Sequence, residues 1–511
     1  MCGILAHINC SSPFSLQKIE AILAKRGTDF FSTAKTERAT FYHALLALTD
    51  NIENSIQPLQ NEQDIVLLNG EIYNHLEIRT SLLNQSFFKT QTDTETLLEG
   101  FQQLQSKLFQ YLRGMFSLLI YDKTNQHTYI YRDFFGIKPL YYSHHKKELT
   151  VCSSLDYFKK RQTDEEQINL TKKRGWPLQN NTLFKNVQQF PKGELGIFDN
   201  KKGVLSFVKI KPKDYSTKET LFDSIKASVK EQAASPYKTG ILFSGGIDST
   251  LIALAAKQLH LKLPLYTFDF KGNQEKFGYS EDLLFAKQIA EKLNLELRIV
   301  SYKDSDFTDY LKTHRTFSEP YLDLAGFSLH LLCKQAKKDG VKILLNGTGA
   351  DEFFGGYRRH QLAKCFNFIP KLLHGKALQL LITKKFTSAQ AIEKVTLKKY
   401  SGDSFTQTVL RYDQNEYLEN NNLKYTDGIG LFHGIEIRVP LLTHQIVKHG
   451  LNELNKNQLG KTILKEILYK YLPKSLIDRP KSGFALPIQV FGKQKKKLRT
   501  QLLTDWLNHQ I

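Results

Sequence analysis

Hydrophobic and polar residues follow two different patterns along the chain. Up to about residue 200, short apolar runs alternate with turn residues, and clear runs precede Asn69, Asp122 and Arg132. Such runs are typical of β-strands. Two helical stretches, 16–23 and 94–105, lie between them. The mixture predicts an α+β layered domain built on antiparallel sheets over residues 1–200.

From about residue 216, strand patterns alternate with helical patterns. They fall at 240–243, 249–259, 265–268, 280–293, 296–300, 328–338 and 341–345. Strands that alternate with helices predict a parallel, doubly wound α/β sheet. Beyond residue 360 the pattern is largely helical, so the second domain, 216–511, should end in a helical part. The polar stretch 201–215 is interpreted as a linker.

A glycine-rich turn joins the first strand of this second pattern to the helix after it. Its residues are Ser244, Gly245, Gly246, Ile247, Asp248 and Ser249. Two glycines let the backbone approach an anion, and N–H groups at a helix start favour phosphate oxygens. Asp248 would repel phosphate unless Mg²⁺ bridges the two, so it indicates a metal. The alternative is a plain strand–turn–helix connection, and the spacing of a Walker loop is absent.

A second loop, 346–357, follows strand 341–345. Ligands bind at the carboxyl ends of the strands in open α/β sheets. Asp351 in this loop is therefore placed to share Mg²⁺ with Asp248. Read alone, the loop could also be a helix cap, but beside the first loop the two-acid metal site is the better interpretation.

Cys2 is a candidate nucleophile. Removal of Met1 would expose a residue that carries both a thiol and an α-amine, and the amine can act as base for the thiol. Asn69 and Gly70, at the expected end of a strand, could form an oxyanion hole with the side-chain amide and a backbone N–H. Glu71 and Asp93 are carboxylates suited to hold a substrate ammonium group. For each residue a surface turn is the alternative.

Composition limits the class of protein. At 511 residues the chain suits two domains, and 41% hydrophobic with 24% charged residues is typical of globular proteins. The sequence lacks an apolar run of the roughly 20 residues that span a bilayer. The first residues lack the basic region of a signal peptide. Five scattered cysteines without CxxC spacing indicate reduced thiols and a cytoplasmic protein without a disulfide or zinc framework.

The net charge of +20 is the one unusual value. It could indicate nucleic-acid binding, or a lysine-rich proteome and the attraction of anionic substrates such as ATP. Basic charge alone is a weak signal, so we do not expect nucleic acid as a physiological partner.

Together these motifs resemble asparagine synthetase of the glutamine-hydrolysing type, over nearly the whole chain. The matching segments are 1–4, 26–29, 69–75, 112–122, 132–142, 244–249, 349–352, 433–442 and 479–484. The resemblance implies an N-terminal-nucleophile hydrolase domain of the class II glutamine amidotransferase kind. An adenine nucleotide alpha-hydrolase-like domain with a helical C-terminal part would follow it.

The resemblance also implies an activity. Cys2 would attack the side-chain amide of glutamine, and the released ammonia would pass through an internal tunnel. In the second domain a carboxylate, aspartate in the parent family, would react with Mg–ATP to give an acyl-adenylate and pyrophosphate. Ammonia would then displace AMP. The expected cofactors are ATP and Mg²⁺, and the expected partners are these small-molecule substrates and no membrane.

The family's functional residues map onto numbered positions. Catalysis falls to Cys2, Asn69, Gly70 and Lys461, a lysine that supports the phosphate chemistry. Glutamine binding falls to Leu45, Thr49, Asn69, Gly70, Glu71 and Asp93. Nucleotide binding falls to Leu242, Ser244, Gly245, Gly246, Asp248, Ser249, Phe270, Asn346 and Gly347. Thr348 takes the position that forms the intermediate, and the metal ligands are Asp248 and Asp351.

Three positions depart from the family pattern. Leu45 replaces an arginine that clasps the glutamine α-carboxylate, which puts glutamine use in question. Thr348 replaces an acid that assists adenylation. Thr443 replaces an aspartate, with no evident meaning in the sequence.

Asparagine formation is the leading hypothesis, and amidation of another carboxylate, such as a uronic acid or a peptide, is the second. An RNA-modifying adenylating protein or a non-catalytic scaffold is a third, against which the complete N-terminal half argues. Fold analogy does not decide the substrate, and a homodimer is an open expectation for the assembly.

Overall fold

The computed structural model describes residues 2–83, 88–213, 219–269, 280–374, 377–378, 400, 402–479 and 495–510. The alternating apolar runs of the N-terminal part form two antiparallel six-stranded sheets. The first has the order β10-β8-β9-β1-β3-β2, with β1 Gly3–Ile8, β2 Phe30–Lys35, β3 Ala39–Leu45, β8 Tyr141–His145, β9 Glu148–Cys152 and β10 Gln188–Gln189. The second has the order β12-β11-β7-β6-β5-β4, with β4 Leu59–Gln60, β5 Asp64–Ile72, β6 Gly114–Asp122, β7 His127–Arg132, β11 Glu194–Asp199 and β12 Val204–Lys209.

The two-residue period of β5 shows how these layers pack. Ile65 and Leu67 share a buried cluster with Phe41 of the first sheet. Val66 and Leu68 point to the opposite face and pack in a separate cluster with the α3 side of the domain. The helices of this part are α1 Leu16–Leu23, α2 His75–Ser81, α3 Asp93–Leu104 and α4 Glu165–Arg174. The predicted α+β layered class is therefore confirmed, with sheet packed on sheet and helices outside.

Two details differ from the sequence predictions. The stretch interpreted as a linker, 201–215, contains β12, which pairs with β11 along its whole length as an edge strand. Asn69 and Gly70 do not end a strand, because β5 runs on to Ile72 and pairs them with Ser117 and Phe116 of β6. A hydrophobic run marks only the buried part of a strand, and β5 continues into polar residues that face a pocket.

The second part contains a parallel five-stranded sheet of order β15-β14-β13-β16-β17. Its strands are β13 Lys238–Leu242, β14 Leu265–Asp269, β15 Leu297–Ser301, β16 Val341–Leu345 and β17 Glu436–Arg438. Its helices are α5 Leu221–Ala233, α6 Ile247–Gln258, α7 Ser280–Leu293, α8 Asp304–His314, α9 Ala325–Lys338, α10 Ala350–Phe353, α11 Arg358–Cys365, α12 Phe405–Tyr412, α13 Lys424–Phe432, α14 His444–Asn455, α15 Thr462–Tyr469, α16 Lys474–Ile477 and α17 Lys495–Gln510. Separate buried clusters cover the two faces of the sheet. The predicted doubly wound class is confirmed. Its short edge strand β17 was not predicted, because three residues carry no periodic signal.

Buried ion pairs join the two parts of the chain. Glu419 lies in a π-helical segment, Asp413–Leu423, and its Oε1 is 2.6 Å from Nη1 of Arg132. Arg26 likewise places Nη2 2.9 Å from Oδ2 of Asp427. These side chains are almost completely buried, so the ion pairs between the domains are shielded from solvent. Among the described helices, none combines the length and the apolar character that crossing a membrane requires. All five cysteines are free.

Candidate active site

Cys2 precedes β1 directly and is buried at the bottom of a small cavity. Its backbone nitrogen donates a hydrogen bond to Oδ1 of Asn69, at 3.3 Å. Burial raises the pKa of the Cys2 thiol, so the thiol needs a base to react. The nitrogen that would become the α-amine after removal of Met1 thus already lies beside the predicted oxyanion-hole residue.

Asn69 and Gly70 are held rigidly by β6. Nδ2 of Asn69 donates to Oγ of Ser117 at 3.1 Å, and Ser117 in turn donates to the backbone oxygen of Pro139. An amide carries two N–H donors, and this hydrogen bond uses one of them. Gly70 has φ +133°, and a Cβ there would collide with the backbone oxygen of Met115. Only glycine fits this close approach of the two strands.

Three carboxylates line the same cavity. Two of them, Glu71 and Asp93, were predicted from the sequence, and the third, Glu436, comes from β17 of the other domain. Burial raises the pKa of Asp93 to about 6, although the backbone N–H of Ile72 donates to this carboxylate and opposes the shift. Burial also raises the pKa of Glu71, against the effect of Arg438. The cavity is therefore suited to a cationic group.

No lysine or arginine lines this cavity in the described part of the chain. Leu45 is 2% exposed and packs with Cys2 and Ala47, so its side chain contributes only apolar surface. Thr49 lies at the exposed rim. Arg38 is a cation near Leu45 in the sequence, but it precedes β3 at the end opposite to Leu45, roughly 20 Å away along the strand. It therefore does not supply the positive charge that the family resemblance predicts at position 45.

The cavity beside Cys2 measures about 30 Å³. A space of this size holds about one water molecule. Glutamine can therefore enter only if the cavity walls, which include residues 45–49, move outward.

Sequence reasoning missed Arg438 as a participant in this pocket. Its Nη2 lies 2.6 Å from Oε2 of Glu71, and its Nε donates to Oε1 of Glu436 at 2.6 Å. Arg438 is completely buried and belongs to the second domain. Glu436 and Arg438 alternate with apolar residues in the segment 433–442. Nothing in the sequence shows that their side chains reach the first domain.

The glycine-rich turn forms a compact, self-bonded loop between β13 and α6. The backbone nitrogen of Gly246 donates to Oγ of Ser244 at 3.2 Å, and Oγ of Ser249 donates to the oxygen of Gly246 at 3.2 Å. Gly245 has φ +66°, and a Cβ there would lie 3.0 Å from Cα of Ala286. The first turn of α6 therefore lies at the carboxyl end of the sheet, where the N–H groups at a helix start can bind an anion.

The second predicted loop lies against the first. A Cβ on Gly347 would lie 2.6 Å from Cβ of Asp248, so glycine permits this contact. Asn346 is fixed by a hydrogen bond from its backbone nitrogen to the oxygen of Arg438, at 2.8 Å. Thr348 is half-buried in this loop.

The other predicted nucleotide-binding positions are less informative. Leu242 ends β13, and its side chain packs in the core with Tyr266 and Phe268. Phe270 lies outside the described residues. Thr443, the third departure from the family pattern, caps α14 by accepting from the backbone nitrogen of Ile446 at 3.5 Å, which gives it a structural role.

Lys461 joins the two loops. Its Nζ lies 2.6 Å from both carboxylate oxygens of Asp248 and 2.6 Å from Oδ1 of Asp351. Lys461 is 4% exposed and directly precedes α15. Its φ of +62° lies in the left-handed region, which is strained for a residue other than glycine. Gly356 lies against both Asp351 and Lys461, and a Cβ there would collide with them. The predicted metal ligands and the predicted catalytic lysine therefore form one cluster.

The donor set of this cluster fits Mg²⁺. In the described residues no group of three or more His, Cys, Asp or Glu side chains could hold a metal alone. Mg²⁺ at nucleotide sites is held by one or two carboxylates together with water and substrate phosphates. Asp248 and Asp351 supply two carboxylates of this kind, with Lys461 as their present counter-charge.

Arg479 is a further cation that sequence reasoning left without a role. Its Nη2 donates to the backbone oxygen of Gly245 at 2.9 Å, and its Nη1 pairs with Asp282. A second positive charge thus lies at the glycine-rich loop.

An N-terminal cysteine pocket on paired sheets, followed by a phosphate loop on a doubly wound sheet, defines a glutamine amidotransferase fused to an ATP-dependent synthetase. A profile of the glutamine amidotransferase domain matches residues 1–207, and the asparagine synthase profile matches residues 220–510. The chain belongs to the asparagine synthase family. It is an enzyme, a carbon–nitrogen ligase of a family that uses ATP and acts on small molecules.

Relatives with curated names share this organisation. Asparagine synthetase [glutamine-hydrolyzing] 1 of Bacillus subtilis is 28% identical, over 100% of this chain and 90% of its own length. Putative asparagine synthetase [glutamine-hydrolyzing] 1 of Methanocaldococcus jannaschii is 26% identical, over 84% of this chain and 79% of its own. Probable asparagine synthetase [glutamine-hydrolyzing] of Schizosaccharomyces pombe is 28% identical, over 70% and 66%.

Proposed function

We propose that the protein forms asparagine from aspartate, with ATP as energy source and glutamine as nitrogen donor. Residues 1–200 would act as the glutaminase and residues 216–511 as the adenylating ligase. The observation that carries the proposal is the cluster of Asp248, Asp351 and Lys461 beside the glycine-rich loop. Two acids and a buried ammonium at the carboxyl end of a parallel sheet suit the transfer of a nucleotide group.

The first half-reaction would take place at Cys2. Its thiol gives up its proton to the α-amine and attacks the amide carbon of glutamine, and the amide nitrogen leaves as ammonia. Water then hydrolyses the thioester to glutamate. The side chain of Asn69 and the N–H of Gly70 would stabilise the oxyanion, while Glu71 and Asp93 hold the substrate ammonium.

The second half-reaction would take place at the two loops. The backbone N–H groups at the start of α6 bind phosphate oxygens, and Lys461 offsets charge that develops on them. Asp248 and Asp351 would hold Mg²⁺, which neutralises the phosphate charge when bound. A carboxylate oxygen attacks the α-phosphorus, pyrophosphate leaves, and ammonia then displaces AMP from the acyl carbon.

The test is pyrophosphate release by the purified full chain with Mg–ATP and a panel of carboxylates. We expect aspartate to support release well above every other acid, with asparagine formed in equal amount. Release that depends on a different acid, with aspartate inert, would contradict the proposal.

A second candidate, amidation of another carboxylate, is favoured by one observation. Thr348 lies half-buried in the adenylation loop. It stands at the position where the family pattern has an acid. The acceptor therefore meets a hydroxyl in place of a charge, which suits an acceptor other than an amino acid with its own ammonium group. A sugar acid or a peptide in the same panel distinguishes the two candidates.

A further inference from the structure

A larger cavity lies between the two domains and contains none of the predicted site residues. It measures about 340 Å³, against about 30 Å³ beside Cys2, and the two share no lining residue. Pockets for small molecules commonly measure roughly 300–1,000 Å³. Its walls come from β6, β7 and the turn after β7 on one side, and from the end of α5 and the start of α14 on the other. The volume is therefore sufficient for a small organic molecule.

The wall that the first domain contributes is aromatic. Its rings belong to Phe116, Tyr131, Phe134 and Phe135. Phe134 is 39% exposed, so part of its ring is not covered by the protein. Aromatic side chains favour offset-stacked or edge-on contacts with other rings. This wall therefore suits a planar aromatic body.

Three buried polar atoms at the same cavity lack a partner. Oη of Tyr73, Oε1 of Gln232 and Nε2 of His444 make no hydrogen bond within the described ranges of the chain. All three residues line the cavity, and Gln232 is 1% exposed. Buried polar groups without a partner are rare in native proteins, and each one requires an explanation. A ligand in the cavity would complete these three bonds.

The neighbouring contacts define what each atom can do. Oγ of Ser228 donates to the backbone oxygen of Pro440 at 2.7 Å, so it accepts from Nε2 of Gln232 at 3.2 Å. Oε1 of Gln232 is thus left as an acceptor. Burial raises the pKa of the Tyr73 hydroxyl, which therefore stays protonated and can donate. Burial also lowers the pKa of His444 to about 4, so its imidazole is neutral near pH 7.

The charged residues of the lining are mostly cationic. Lys211, Lys213 and Lys448 are exposed residues that line the cavity. Arg113 also lines it, and its Nη2 lies 3.7 Å from Oε1 of Glu231, the one carboxylate of the lining in the described residues. Four cations against one carboxylate give this cavity an excess of positive charge. Such a surface favours an anionic group on the ligand.

We propose that this cavity binds a planar aromatic anion, with its ring against Phe134 and its carboxylate or phosphate near the three lysines. Tyr73, Gln232 and His444 bond polar groups of the ring system. The site is separate from the proposed glutaminase and ligase chemistry and does not depend on it. Because the walls come from both domains, the ligand binds the docked chain and stabilises it against unfolding.

Equilibrium dialysis of the full chain tests the site with two aromatic anions, indole-3-carboxylate and guanosine monophosphate. Indole and guanosine supply the rings without the charge, and cyclohexanecarboxylate and ribose 5-phosphate supply the charge without the aromatic ring. An ATP analogue with a methylene α–β bridge is present throughout and fills the nucleotide site.

We expect at least one of the two anions to bind once per chain, roughly tenfold more tightly than its uncharged and non-aromatic counterparts. The same anion should raise the unfolding midpoint by about 2 °C or more at saturation. Binding of the carboxylate alone or of the phosphate alone identifies which anionic group the site takes.

Two changes test the two ends of the ligand. Tyr73→Phe removes one oxygen and keeps the ring, and the double variant Lys211→Gln, Lys213→Gln removes charge from the lining. Each should weaken binding by roughly fivefold or more and leave the unfolding midpoint of the unliganded protein unchanged. The double variant Lys201→Gln, Lys202→Gln is the matched control, since it removes the same charge from exposed residues before β12, at the strand end opposite to Lys211.

The control variant should bind the ligand as the wild type does. Failure of both anions to bind overturns the proposal, and so does binding that is unchanged in either test variant. An equal loss in the control variant would assign the binding to the general positive charge of the chain and would also overturn it. Uncharged rings that bind as tightly as the anions would refute the anionic class of ligand.

Discussion

The two candidate pockets obtain their counter-charges from different places. In the adenylation site, Asp248 and Asp351 are balanced by Lys461 of the same domain. In the glutaminase pocket, Glu71 of the first domain is balanced by Arg438 of the second. The first pocket is complete within one domain, whereas the second is complete only when the domains are docked.

This difference has a consequence for how each pocket tolerates change. The adenylation cluster keeps both predicted acids and differs from the family at Thr348. The glutaminase pocket has Leu45 where the family resemblance predicts an arginine, and three carboxylates lie around Cys2. We therefore expect changes at the contact between the two domains to impair glutamine use more than they impair adenylation.

The largest effect is expected in the adenylation cluster. Asp248→Asn and Asp351→Asn each keep the side-chain shape but lose a charge that faces Lys461 and the phosphates. Substrate-dependent pyrophosphate release should fall by on the order of a hundredfold or more. Asp339→Asn is the control, because Asp339 bonds Tyr266 and Gln335 and lies outside the cluster. Near wild-type release by both cluster variants would refute the two-acid metal site.

A selective loss is expected at the nucleophile. Cys2→Ala should lose glutamine hydrolysis and keep ammonia-dependent amide formation, because the two reactions occupy different domains. Intact-mass measurement should show that Met1 is absent from the wild type. Cys10→Ala, which removes a free thiol that contacts His7 and Thr150, should keep both activities. A mature protein that retains Met1 and still hydrolyses glutamine would contradict the assignment.

A smaller gain is expected from restoring the lost cation. A bidentate arginine–carboxylate pair contributes about 1.5–3 kcal/mol, roughly ten- to a hundredfold in affinity. Leu45→Arg should therefore lower the KM for glutamine and leave ammonia-dependent synthesis unchanged. Leu45→Met changes the shape without adding charge and should leave the KM unaltered. If the wild type binds glutamine in the low micromolar range and Leu45→Arg weakens it, the pocket uses another clamp.

The smallest effect concerns pH. Asp93 has a raised pKa of about 6, so it is ionised above that pH and neutral below it. Because only the ionised form attracts an ammonium group, the KM for glutamine should rise as the pH falls below about 6, by roughly tenfold per pH unit. Asp93→Asn should show a high KM and should lose the rise that begins at about pH 6, so that only the titration of Glu71, whose pKa burial also raises, remains. An equal rise in this variant would assign the titration to another group.

The parts of the sites that local sequence encodes could be predicted. The turn 244–249 has its glycines, hydroxyls and acid within one strand–turn–helix connection, and the structure places them there. The same holds for Asp351, which lies in the first turn of α10, the short helix after the loop that follows β16. In these segments the hydrophobic pattern shows where the strand ends, and the loop that carries the functional residues begins there.

The parts that depend on distant segments could not be predicted. The contact of Glu71 with Arg438 crosses the domain boundary, and neither residue has a pattern that points to the other. Lys461 was assigned from the family resemblance, since its approach to Asp248 depends on the packing of α15 against α6. Asn69 was placed at a strand end because its polar neighbours interrupt the apolar run, although the strand continues.

The most direct test of the central claim follows one oxygen atom. The wild-type enzyme is supplied with Mg–ATP, ammonia and aspartate that carries heavy oxygen in its side-chain carboxylate. The account predicts one labelled oxygen in each AMP and one in each asparagine amide, because the attacking oxygen leaves with the nucleotide. Unlabelled AMP, or ADP with the label in inorganic phosphate, would contradict adenylation at this site.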